Sequence, residues 1–157
     1  MKKLLYLLIA ASVLTLSGCV QPPGQQKSAL ELQAIQAKEF ETDKKIAFAA
    51  TLSVFQDLGY NVGSANLDTG LINAKSPTKQ GFVPFIGITM SHVNATAFIE
   101  EINKGRTKVR VNFVNARETS SGYGQRGAQD IPIEDPAMYQ DVFTKIQQGI
   151  FIRSNVN

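Results

Sequence analysis

Between Lys44 and Leu58 the large apolar residues Phe48, Leu52 and Phe55 recur at helical spacing, with Thr51, Val54 and Leu58 beside them. Ala49, Ser53, Gln56 and Asp57 take the opposite side. Thr42-Asp43 offers an N-cap and Gly59 a C-terminal stop, so the pattern predicts a one-faced helix that must lie against something. A second stripe, Tyr139, Val142, Phe143, Ile146 and Ile150, follows Asp135-Pro136, a cap and first-turn proline, and predicts a final helix. Gly149 interrupts that stripe at a cost of about 1 kcal/mol against alanine.

The period changes to two between His92 and Phe113. Val93, Ala95, Ala97 and Ile99 alternate with polar neighbours and Phe98, and Val109, Val111 and Phe113 alternate with Lys108, Arg110 and Asn112. Asn103-Lys104-Gly105 suits a hairpin turn with Gly105 in the left-handed region, which sets Ile99 against Val109, Ala97 against Val111 and Ala95 against Phe113. The same register sets Glu100 against Lys108 and Phe98 against Arg110 on the other face. Tyr60 to Leu67 and Leu71 to Lys75 read as two short strands about the turn Asp68-Thr69-Gly70. Ser28 to Glu31 fits a capping box, yet the stretch after it reads equally as helix or edge strand. Glu118 to Asp130 reads as a polar, glycine-rich loop. Together these elements predict an α+β, two-layer domain, an antiparallel sheet with two helices packed on one face.

The segment Gly81 to Gly87 places Phe82, Val83, Phe85 and Ile86 between glycines with no clear strand pattern. It either crosses the core or forms an exposed contact patch. The apolar content favours core, or a plug at the sheet end, and the remaining alternative is a strand disguised by Pro84.

Residues 1–18 differ from the rest: Lys2 and Lys3 precede the uncharged run Leu4 to Leu16, as in a secretory signal, and the run is short for a membrane span of about 20 residues. Removing that leader leaves 139 of 157 residues, enough for one domain over 28–157. Of 16 basic and 13 acidic side chains, two basic ones belong to the leader, so the remainder carries a net charge of +1. That balance gives no reason to expect nucleic acid. The single cysteine, Cys19, rules out a disulfide within the domain. Val20 to Lys27, with Pro22-Pro23-Gly24, reads as a tether with a reach of about 25 Å.

Candidate chemistry is sparse. Gly122 to Gly127 spells G-x-G-x-x-G, but it leads to Pro132 rather than into a helix, so a surface loop is preferred to a phosphate site. Asp68-Thr69-Gly70 occurs once, whereas a shared-proton carboxylate pair needs two copies. His92 is the only histidine and sits on the polar side of its strand; with no second histidine, neither a catalytic triad nor a zinc site is expected. Glu100-Glu101 reads as a surface pair and Glu134-Asp135 as a helix cap. No enzyme activity, cofactor or metal is expected.

Leu16-Ser17-Gly18-Cys19 resembles a bacterial lipobox. The resemblance implies cleavage before Cys19, acylation of its thiol and amine, and, with Val20 rather than aspartate following, an outer-membrane position facing the periplasm. The stretches Ile35 to Thr42, Leu52 to Lys75 and Asp135 to Ile152 resemble small lipoproteins of Gram-negative envelopes. The arrangement is more distantly similar to the helix-grip domains of the C component of the outer-membrane barrel-assembly machine. That resemblance carries no catalytic motif, and implies an accessory or interaction subunit of an envelope assembly with a protein partner. Candidate contacts are Phe82, Val83, Phe85 and Ile86, with Tyr123 and Arg126 in the second loop. The alternative is a periplasmic binding module that holds a small ligand, lipid or glycan between the final helix and the sheet.

Overall fold

The computed structural model describes residues 27–84, 87–121, 124 and 126–155. Its spine is one long hairpin, β5 (Gly87–Asn103) and β6 (Arg106–Ser120), closed by a turn in which Gly105 has φ 76°. At about 3.4 Å per residue β5 alone is more than 50 Å long. The predicted register is the observed one: Ile99 faces Val109, Ala97 faces Val111, Ala95 faces Phe113, Glu100 faces Lys108 and Phe98 faces Arg110. A bulge between Glu101 and Asn103 absorbs Ile102 just before the turn.

Each outer edge of this hairpin is shared by two strands placed end to end. Along β5 run β3 (Leu71–Lys75) and then β4 (Lys79–Val83); β2 (Asn61–Asn66) pairs with β3 alone. Along β6 run β1 (Ala37–Phe40) and β7 (Arg126–Pro132). The result is a seven-stranded antiparallel sheet. The Ser28 capping box opens α1 (Ala29–Gln36), which passes directly into β1; the stretch that read as helix or edge strand is both in turn.

Two helices cover one face of the lower half. α2 (Lys44–Asp57) buries Ala47, Phe48, Ala50, Thr51, Val54 and Phe55, and α3 (Pro136–Ser154) buries the five predicted stripe residues. Between them and the sheet lie Ile72, Ala74, Ala95, Ala97, Ile99, Val109, Val111 and Phe113. Rings tilt against one another through the middle of this core, from Tyr60 and Phe55 to Phe113 and Tyr139. The α+β, two-layer arrangement is therefore the one the periodicities predict.

The upper half departs from expectation. Ser76 ends the covered part: its N–H donates to the Val93 carbonyl, and its hydroxyl accepts from the Val93 N–H. Pro77, which has no N–H to give to a ladder, follows. Beyond this joint, β4, the first part of β5, the last part of β6 and β7 form a four-stranded wing. Every residue of β4 and β7 is exposed. Within the loop expected from Glu118 to Asp130, Glu118 to Ser120 instead end β6 and Arg126 to Asp130 belong to β7. The segment from Gly81 is a strand as far as Val83, not core and not a plug: Phe82 is 73% exposed. With no helix above them β4 and β7 have no buried face, so period-two alternation, the signal by which a strand is read, is missing from their sequence.

Candidate functional site

Cross-strand pairing sorts the wing residues by face, because directly paired residues point the same way. One row on the face away from the helices runs Phe82, Ile88, Ser120, Arg126. The next runs Gln80, Met90, Glu118, Ala128, and a third runs His92, Ala116, Asp130. Phe82, Ile88 and Met90 are 73%, 44% and 43% exposed and adjoin one another across β4 and β5. Beside them an open hollow of about 430 Å³ is lined by Ile88, Met90, Glu118, Ser120, Arg126 and Ala128, among others. The face is an apolar cluster at one edge grading into opposite charges at the other.

Of the residues expected to make contacts, Phe82 and Arg126 therefore share a cross-strand row, and Val83 is exposed at the end of β4 opposite Gly87. Phe85, Ile86, Tyr123 and Cys19 lie outside the described residues. Ile88 and Met90 were missed, although the sequence holds a signal for them. Apolar residues occupy even positions at Ile88 and Met90, but from Val93 to Ile99 they occupy odd positions, Phe98 apart. The pairing of β5 with β6 continues without a shift from Ile88 to Glu101, so a change of parity along it means a change of face.

The other candidates resolve locally. Asp68-Thr69-Gly70 is a turn: the Thr69 N–H donates to the Asn66 side chain, and Lys44 Nζ donates to the Asp68 carbonyl. Gly70 has φ 74°, and a Cβ there would fall 2.0 Å from the Ile99 carbonyl oxygen, so packing explains this glycine. His92 is half-buried opposite Ala116 on the outer face. Gly127 lies within an edge strand, not at the start of a helix. Among the described residues no group of three or more His, Cys, Asp or Glu could hold a metal ion, and no helix is long and apolar enough to cross a membrane. Between α3 and the sheet, Tyr139, Val142, Phe143, Ile146 and Ile150 are buried in the core. A separate hollow of about 430 Å³ opens between α3 and the α1–β1 passage, lined by Ile35, Lys38, Gln140 and Phe143, among others.

Among the described residues two titratable groups are displaced. Burial pushes the Tyr60 hydroxyl above its ordinary value, and hydrogen bonds from the Ser28 N–H and hydroxyl region hold the Glu31 carboxyl below its own. Neither belongs to the wing.

No protein-family model and no curated protein matches the chain. Among solved structures it is similar to the adenylate sensor of AMP-activated protein kinase, crystallised with 5-aminoimidazole-4-carboxamide ribofuranotide. The identity is 13%, over 73% of this chain and 94% of that one, with a TM-score of 0.36. A likeness this slight carries no argument about fold or ligand.

Proposed function

We propose that this protein is an outer-membrane lipoprotein, held on the periplasmic side by acyl chains on Cys19, and that it serves a cell-envelope assembly as a non-enzymatic contact subunit. The observation that carries the contact role is the wing's outer face. Phe82, Ile88 and Met90 stand together in solvent on a wing that no described helix covers, and clustered exposed apolar side chains of this kind mark contact sites. Arg126 at the far edge adds a guanidinium of the sort enriched at protein interfaces. The lipobox resemblance supports the address. Lys27 Nζ donates to the Glu134 carbonyl, so the expected tether, with a reach of about 25 Å, would join the domain close to the end of β7.

Affinity capture from detergent-solubilised envelopes tests both halves. The full chain is expected to fractionate with outer membranes and recover one partner in stoichiometric amount. Cys19→Ser should release it from the membrane fraction. The double change Phe82→Asp and Ile88→Asp should keep it membrane-bound and folded but lose the partner. Recovery of the same partner by that double variant would overturn the assignment of the wing.

A further inference from the structure

We propose that β7 is a self-pairing edge, through which two copies of this chain join their wings into one continuous eight-stranded sheet about a two-fold axis at Ala128. Among the described residues β7 pairs with β6 on one side only, and no strand pairs with its other side. Natural sheets blunt such edges with proline, lysine, bulges or shortness. The other edges here show these devices or lack a matching partner. β1 has four residues, with Glu39 already engaged by Arg106. β2 is bulged at Gly63. β4 carries Lys79, and pairing it with itself about Gly81 would set that lysine against Val83. β7 runs seven residues with no register shift against β6, and its only proline is the last, Pro132.

The sequence Arg126-Gly127-Ala128-Gln129-Asp130 complements itself in an antiparallel register centred on Ala128. On the outer face Ala128 meets its own copy, and Arg126 meets Asp130 of the second copy, twice by symmetry. On the inner face Gly127 meets Gln129 of the second copy, twice again, a residue without a side chain against a long one. Among the described residues neither Arg126 nor Asp130 has an ion-pair partner within the chain. Opposite charges directly across an antiparallel pair are stabilising and like charges destabilising, and a two-fold axis makes each favourable pair count twice. The register does not depend on which set of β7 amides faces outward, since residue 128 can meet itself as either kind of antiparallel pair. Nor does it depend on the membrane anchor.

The test uses the full chain carrying Cys19→Ser, so that an added Ala128→Cys is its only thiol. Directly opposed Cβ atoms at the two-fold axis lie within disulfide range, whereas residue 127 and its own copy lie a diagonal apart. Under mild oxidation Ala128→Cys is expected to form a covalent dimer, and Gly127→Cys in the same background to form about ten-fold less. In sedimentation of the thiol-free chain, Arg126→Asp or Asp130→Arg alone should lower the dimer fraction, and the two changes together should restore it. Far-UV circular dichroism confirms that each variant is folded. Equal crosslinking at both positions, a chain that stays monomeric throughout, or a charge-swapped double variant no better than the singles overturns the proposal.

Discussion

The Tyr139 hydroxyl donates to the Ile133 carbonyl at 2.8 Å and lies within hydrogen-bonding distance of the Phe113 N–H and of Gln36 Nε2. The ring itself is fully buried against Phe113. One side chain thus ties the segment leaving β7 to β6, to α1 and to the first turn of α3, at the level where the covered body gives way to the wing. Tyr139→Phe keeps the ring and removes the oxygen, leaving buried polar groups short of a partner. The expected loss is about 1–3 kcal/mol, read as a lower urea midpoint with an unchanged slope. An unaltered midpoint would show that the joint does not depend on this hydroxyl.

At the scale of elements, Gly149 shows what a helix gains by a residue that weakens it. In sequence it reads only as a cost. In the fold, a Cβ at Gly149 would stand 3.3 Å from the Ala50 Cβ, so the glycine lies at a close approach of α2 and α3. Gly149→Ala sets better helix propensity against a tight contact and should stay within about 1 kcal/mol of the parent. Gly149→Val adds atoms the contact cannot take and should cost about 1–3 kcal/mol in chemical unfolding; equal stability of the two variants would contradict close packing there. The elements with a buried face were legible in the sequence for a plain reason: Phe48 to Phe55, Val93 to Ile99, Val109 to Phe113 and Tyr139 to Ile150 each present a periodic apolar stripe to one core. β7 was not legible, and β4 only as the least favoured alternative, a strand disguised by Pro84, because pairing alone holds them and pairing leaves no pattern in side chains. Phe82 and Arg126 stood out by residue type, but their meeting on one row follows only from the register of three strand pairs.

At the scale of the whole molecule, a single hairpin serves two purposes along its length. Its lower half carries Ala95 to Ile99 and Val109 to Phe113 into a helix-covered core; its upper half carries Ile88 and Met90 into solvent. The packed part supplies the stability that an uncovered four-stranded sheet could hardly supply for itself, and the wing is then free to present apolar side chains. The proposed contact role rests on that division. The most direct measurement places a photo-activatable crosslinking residue at Phe82 of the full chain in living cells, with the same residue at the exposed Gln56 on α2 as comparison. The account predicts a discrete adduct with an envelope protein from position 82 and none from position 56. No adduct at 82, or the same adducts from both positions, would contradict it.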